Sequence, residues 1–236
     1  MPDDAIATTL TSIHQMTPHV KQYLLRADDT SFEYKPGQHT CITFERDGEV
    51  IRRPYTPVNL PGTHIVALGI KTYANGTCSR WMDSRAHGDT VHLTPFGGNL
   101  HLRSLDRNVV FLSTGTGITP MIAMLRHYLR DGTGQATFLY GERTQQDIMY
   151  RETIDLLDAE HDALSVGYAL SDEDWDGPTG HIQDHLDAYV DTFEDTDFYI
   201  CGVPQMVVDT EDVLYEHGVD DQHIINEGWE AGAVAN

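Results

Sequence analysis

Cysteine, lysine and long apolar runs are all scarce in this chain, and each scarcity excludes something. Only three cysteines occur in 236 residues, Cys41, Cys78 and Cys201. They are odd in number and far apart, so they offer neither a disulfide framework nor a paired-thiolate metal site. An iron–sulfur cluster ordinarily takes four thiolates, which this chain does not have. The 13 His residues contain no His-Glu-x-x-His pattern, and no metal is expected. No window holds the ~20 consecutive apolar residues that span a bilayer, so membrane insertion is not expected. The opening Met1-Pro2-Asp3-Asp4-Ala5-Ile6 lacks the basic-then-apolar order of a secretory signal, which makes a cytoplasmic location the expectation.

Positive charge is equally thin. Three Lys (Lys21, Lys35, Lys71) and 12 Arg face 25 Asp and 12 Glu, a net charge of -22. Such a surface repels nucleic acid and anionic lipid at ordinary ionic strength. The acidity runs through the whole chain, so one docking patch does not account for it. A Lys-poor, Asp-rich surface over an ordinary core fits a halophilic source, because at molar salt the Debye length falls to ~3 Å and self-repulsion is screened.

What is present divides into two halves. Up to residue 104 the chain reads as short β segments, among them His19–Arg26, Gln38–Phe44, His64–Thr72 and Thr90–Leu93. Turn pairs Pro36-Gly37, Asp47-Gly48 and Pro61-Gly62 separate them, as in a small antiparallel barrel. One helix is expected within it, from about Cys78 to Arg85. From residue 105 to 236 strands and helices alternate instead, which builds a doubly wound parallel α/β sheet. The strands are expected at Val109–Ser113, Ala136–Tyr140, Leu164–Leu170, Asp197–Cys201 and Gln222–Asn226. Helices are expected at Thr119–Arg130, near Gln146–Asp158, near Ile182–Val190 and at Pro204–His217.

Ser113-Thr114-Gly115-Thr116-Gly117-Ile118-Thr119-Pro120 follows the first strand of the second half and opens its first helix. Gly115 and Gly117 let the backbone approach a pyrophosphate, Thr119 suits the N-cap and Pro120 the first helical position. The helix start supplies N–H groups and a partial positive charge for the phosphates. The Gly-Lys-Ser/Thr ending of a Walker loop is missing. The fourth strand ends in Cys201-Gly202-Val203-Pro204-Gln205-Met206, at the strand end where doubly wound sheets hold ligands. On the residues alone, Cys201 reads equally well as a small core side chain.

Together these two turns resemble the nicotinamide-binding domain of the ferredoxin–NADP reductase superfamily. The resemblance implies that Thr114, Gly115, Thr116, Gly117, Thr119 and Pro120 hold the dinucleotide, with Cys201 beside the nicotinamide ring and Gly202, Pro204 and Met206 around it. In the first half, Arg53-Pro54-Tyr55-Thr56 is similar to the family's flavin motif. An Arg forks onto a diphosphate, a Tyr ring covers a flat heterocycle, and a hydroxyl can reach flavin N5. Lys71-Thr72-Tyr73 and Gly76-Thr77-Cys78-Ser79 follow at the family's spacing, with Ser79 expected to begin the barrel helix. Pro36-Gly37-Gln38 and Pro95-Phe96-Gly97-Gly98 also resemble family turns and read as structural.

The resemblance spans about residues 5 to 230 and implies a β-barrel FAD-binding domain, 1–104, before a nicotinamide-binding domain, 105–236. It implies an oxidoreductase that takes a hydride from NADH, or NADPH, onto flavin N5 and passes electrons to a separate acceptor such as a ferredoxin. Thr56, Cys201 and Glu227 are the implied neighbours of the reacting atoms, and Trp229 the aromatic covering the flavin. Glu230–Asn236 runs past the family's usual aromatic end. NADH is expected over NADPH because Asp172 stands where NADPH-using relatives carry an Arg, although Arg143 remains a candidate phosphate contact. A reductase of free flavins or quinones and a non-catalytic electron-relay subunit are the alternatives.

Overall fold

The computed structural model describes residues 4–226 and divides into two units, the first running to His101 and the second beginning at Leu102. In the first unit β1 (Ile6–Thr17), β2 (Val20–Arg26), β3 (Thr40–Arg46), β4 (Glu49–Tyr55), β5 (Ile65–Lys71) and β6 (Thr90–Leu93) form one sheet in the order β4-β3-β6-β1-β2-β5. Every pairing in it is antiparallel. Tight turns set the registers. Asp47 and Gly48 both take positive φ, 54° and 80°, and close the β3–β4 hairpin where Arg46 faces Glu49. Just past β4, Pro57 bridges Leu68 of β5 and the Val58 N–H donates to the Ala67 carbonyl, so the two outer strands of the sheet meet as in a barrel.

Alternate residues of these strands point inward: Leu10, Tyr23, Leu25, Ile42, Phe44, Val66, Leu68 and Ile70 share one core. Each such apolar side chain contributes roughly 1.5–3 kcal/mol when fully buried. The helix α1 (Thr77–Asp83) adds Cys78 and Met82 to that core, and its Trp81 stacks on Phe44 at 4.3 Å.

The second unit carries β7 (Asn108–Thr114), β8 (Ala136–Glu142), β9 (Leu164–Leu170), β10 (Thr196–Cys201) and β11 (Ile224–Asn226), all parallel, in the order β11-β10-β7-β8-β9. Helices α2 (Ile118–Asp131), α3 (Arg151–Glu160), α4 (Leu186–Tyr189) and α5 (Pro204–Glu216) make the crossovers. Strands buried on both faces read as continuous apolar runs, and β10 is buried at every position. Val110, Leu112, Phe198 and Ile200 pack with Met206 and Leu214 of α5, while Phe111 stacks on Tyr199 at 5.4 Å.

At the amino end of this sheet lies a buried carboxylate. Asp197 is 2% exposed and accepts from Arg107 Nε at 3.0 Å, and it pairs with His223 Nδ1 at 2.8 Å. Arg107 also reaches Asp195 at 3.2 Å. The group joins the chain entering β7, β10 and β11.

Several helix boundaries depart from the sequence expectation. Residues expected to be helical from Gln146 form a short 3-10 turn at Gln145–Asp147, and α3 begins at Arg151, after Tyr150 takes the left-handed conformation with φ 57°. The segment after Ile182 is first a 3-10 turn, leaving α4 with only four residues. Likewise Asp221–His223 is a 3-10 turn, and only Ile224–Asn226 is strand. Apolar periodicity does not distinguish a 3-10 turn from the α-helix it precedes. Among the described residues no helix is long and apolar enough to cross a membrane.

Candidate functional site

Strand order locates the crevice. The chain leaves β7 toward β8 on one side, while β10 flanks β7 on the other, so the crossovers part above the β7–β10 pair. Ligands of open parallel sheets lie outside the carboxyl ends of the strands at such a switch point. Both sequence turns open there, with Ser113 of β7 directly opposite Cys201 of β10.

The two turns are locked together. A β-carbon on Gly117 would overlap the Cys201 carbonyl oxygen, and one on Gly202 would overlap the Thr114 hydroxyl and the Met206 methyl. Thr114 Oγ1 accepts the Val203 N–H at 3.1 Å, joining the end of β7 to the residue before α5. Gly115 has φ +56°, in the left-handed region where glycine bears no steric penalty. Pro204 is the first residue of α5, where its missing N–H removes no helical bond. Cys201 is buried, at 8% exposure, and the Ser113 hydroxyl beside it is buried without a hydrogen-bond partner in the described residues.

Two expectations for this turn are corrected. Gly115–Gly117 already forms a 3-10 turn, so α2 starts at Ile118. Thr119 is therefore not the N-cap: it is buried in the first helical turn, and its hydroxyl donates to the Thr116 carbonyl at 3.0 Å. Pro120 stands third in the helix, not first, and is tolerated because the first four N–H groups lack intrahelical acceptors.

The loops after β8 and β9 hold Arg143 and Asp172. Arg143 forks onto Asp172, with Nε and the terminal nitrogen each 2.6 Å from Oδ2. The Asp172 N–H donates to the Arg143 carbonyl at 2.9 Å, and the Ser171 hydroxyl donates to the Asp172 carboxylate at 2.9 Å. Arg143 holds the Asp172 carboxyl below the usual carboxylate range. Next to this pair, Gln145 donates its N–H and side-chain amide to Glu173 at 2.7 and 2.9 Å.

In the first unit, Arg53, Pro54 and Tyr55 lie on β4, Thr56 follows it, and Lys71 ends β5 beside the exposed Tyr73. The Tyr55 hydroxyl and Cys78 thiol are hydrogen-bonded to one another. Burial is the main cause that pushes the thiol up to about 11 and the phenol well above its ordinary range. Arg53 acts electrostatically on both, and Tyr73 on Tyr55, so four residues of three motifs share one locality. Ser79 is buried at the third position of α1, which starts at Thr77 and not at Ser79. Its oxygen fills the space a Gly76 β-carbon would need, so Gly76 serves the turn itself.

Ion pairs engage about half of the basic side chains. Lys21, Arg26, Arg46, Arg85, Arg107, Arg130, Arg143 and Arg151 all contact carboxylates. Arg53, Lys71 and Arg80 form no ion pair with the described residues, and neither do Lys35, Arg52 and Arg103. An Arg53 guanidinium without a carboxylate partner among the described residues, acting on the half-buried Tyr55, suits a diphosphate joined to a flat ring.

Glu227 and Trp229 lie outside the described residues. His181 and His185, spaced as His-x-x-x-His, bracket a 3-10 turn, and no group of three metal-ligating side chains occurs among the described residues. Sequence reasoning passed over Tyr140, a fully buried phenol whose hydroxyl lies 3.1 Å from the Gly115 carbonyl. An isolated tyrosine in an apolar strand carries no local signal of that contact.

Comparison with known proteins agrees with this geometry. Residues 7–101 match the family model described as the oxidoreductase FAD-binding domain, and residues 111–212 the oxidoreductase NAD-binding domain. NADH-cytochrome b5 reductase 1 of Mortierella alpina is 28% identical over 211 residues, covering 84% of this chain and 70% of the relative. The ferredoxin reductase component of 3-ketosteroid-9-alpha-monooxygenase from Mycolicibacterium smegmatis is 30% identical, covering 81% of this chain. This chain spans 54% of that relative's length. In fold, the FAD/NAD-binding domain of nitric oxide dioxygenase from Vibrio cholerae O1 biovar El Tor superposes with a TM-score of 0.87 at 23% identity, covering 95% of this chain and 98% of that one.

Proposed function

Because this chain belongs to the ferredoxin–NADP reductase superfamily, as an FAD- and nicotinamide-dinucleotide-binding flavoprotein reductase, we propose that NADH is its donor and a separate ferredoxin-type protein its acceptor. The observation that carries the NADH assignment is the Arg143–Asp172 fork. An Arg already committed to a carboxylate does not offer its fork to a ribose phosphate, and the carboxylate repels one. A ribose diol meets no such repulsion and can donate to Asp172.

Bound FAD supplies the hydride and single-electron chemistry, and the protein supplies position. Arg53 and Lys71 hold the FAD diphosphate, Tyr55 packs on the flavin ring, and Thr56 offers a hydroxyl to it. Thr114 to Gly117 receive the dinucleotide phosphates, and Cys201 borders the nicotinamide. The ferredoxin assignment rests on the Mycolicibacterium relative, which its name describes as a ferredoxin reductase component.

Purified protein should be yellow with bound FAD, and Arg53→Ala should release much of it by removing a charge-assisted contact of about 1.5–3 kcal/mol. Steady-state rates with NADH should exceed those with NADPH, and a purified ferredoxin should be reduced faster than free flavin or quinone. Equal efficiency with both coenzymes would overturn the NADH assignment. Fast reduction of free flavin alone would favour a flavin reductase. A flavin-bearing protein that fails to oxidise NADH would indicate a relay subunit. The net charge of -22 supports a salt-adapted protein, for which melting temperature should rise from low to molar KCl. Equal melting in both would end that reading.

A further inference from the structure

The glycine turn at the end of β7 must present N–H groups to phosphate, and a peptide plane can present either its N–H or its C=O. In a trans peptide the two point in opposite directions, so whatever holds the oxygen also aims the hydrogen. Two buried hydroxyls hold oxygens of this turn. The Tyr140 hydroxyl reaches the Gly115 carbonyl at 3.1 Å, and the Thr119 hydroxyl donates to the Thr116 carbonyl at 3.0 Å. Both are side-chain contacts, added to the Ile118 N–H that the same two carbonyls accept within the 3-10 turn.

We propose that Tyr140 is a positioning residue for the dinucleotide diphosphate: it holds the Gly115 carbonyl inward, so that the Thr116 N–H faces the ligand, and Thr119 supports it on the next peptide. The inference rests on the nicotinamide-dinucleotide reading of this crevice and deepens it.

Tyr140 is built for such a task. It sits on β8 opposite Ser113 of β7 in register, directly beneath the turn, and is 1% exposed. Its oxygen receives the Met149 N–H, which leaves the hydroxyl hydrogen to point elsewhere. That single hydrogen has two acceptors, the Glu142 carboxylate at 2.6 Å and the Gly115 carbonyl at 3.1 Å, so the contact to the turn is the longer arm of a shared bond. Burial, with Glu142 adding to it, keeps the phenol protonated far above neutral pH, so the donor persists at any physiological pH. Gly115 stands at φ +56°, and glycine crosses between left- and right-handed regions with little resistance. The Ile118 N–H also donates to the Gly115 carbonyl, so the Tyr140 hydroxyl adds a second restraint against a rotation that would turn an oxygen toward a diphosphate, which repels it.

The test uses the full chain with its flavin and measures binding of ADP-ribose, which carries the diphosphate but no reacting ring, by calorimetry. Tyr140→Phe removes one hydroxyl and keeps the ring that fills the space. Wild-type protein should bind ADP-ribose, and Tyr140→Phe should bind it roughly 3- to 10-fold more weakly, the range of one neutral hydrogen bond. KM for NADH should rise by a similar factor, with a smaller change in kcat. Thr119→Val should weaken binding in the same direction, and it decides the matter if Tyr140→Phe fails to fold. Failure of the wild type to bind ADP-ribose would remove the dinucleotide reading itself. Wild-type binding with unchanged affinity in the folded variants would overturn the positioning role, whatever happens to their melting temperatures.

Discussion

The two ends of the parallel sheet use polar groups in opposite ways. At the amino end Asp197 is buried and its charge is answered by Arg107 and His223. At the carboxyl end the Ser113 hydroxyl is buried without a partner among the described residues, two glycines stand where no β-carbon fits, and Gly115 takes a left-handed conformation. A closed polar group contributes to stability alone, whereas an open one leaves capacity for a ligand. The difference shows that polar burial by itself does not mark a site. What marks it is burial combined with unspent hydrogen-bonding capacity and backbone room.

Substitutions at the two ends should therefore separate stability from binding. The largest effect is expected from Asp197→Ala, which leaves Arg107 partly buried without its main partner. Chemical denaturation should show a loss of about 3–5 kcal/mol, with KM for NADH unchanged. A shifted KM would mean that the ends are coupled. Gly117→Ala forces a methyl against the Cys201 carbonyl and should cost about 1–3 kcal/mol through overpacking. Unlike the amino-end variant, it should also raise KM for NADH severalfold, and an unaltered KM would show that the turn yields without harm. Asp172→Asn weakens the hold on Arg143 and should move the NADPH-to-NADH efficiency ratio toward NADPH roughly tenfold, or ~1.4 kcal/mol, at nearly constant stability. An unmoved ratio would leave Asp172 a surface acid. The smallest effect is expected from Thr114→Val, which removes the bond to Val203 N–H and costs about 0.5–1.5 kcal/mol. Here KM should rise in step with the stability loss, since one hydroxyl joins both turns.

Much of this was legible before any coordinates. Strand–turn–helix spacing around Gly115 and Gly117 is local, and the structure places both beside the Cys201-Gly202 turn. The Asp47-Gly48 hairpin follows from the left-handed preference of those residues. The first helical turns were misread at Thr119 and Pro120, because a 3-10 turn carries the same capping residues a few positions early. Strands β1 and β4 carry a weaker signal, because their polar, threonine- and arginine-rich stretches lack a clean alternation. Tyr140, the Asp197 group and the Arg143–Asp172 fork were not visible as contacts. Each joins residues brought close only by strand order, and sequence spacing does not encode which strands become neighbours.

The bond from Val203 to Thr114 crosses 89 residues of chain, and β10 inserts beside β7 only after two strands have been laid down on its other side. A polypeptide emerging from the ribosome thus carries its glycine turn long before the opposing turn exists. Contacts of such long separation form late, since the connecting loop must first be closed. Dinucleotide capture then becomes a reporter of completed folding: nascent or nicked chains lacking the last crossover should be blind to NADH. Free coenzyme, by binding only the finished state, would draw the folding equilibrium forward in proportion to its concentration.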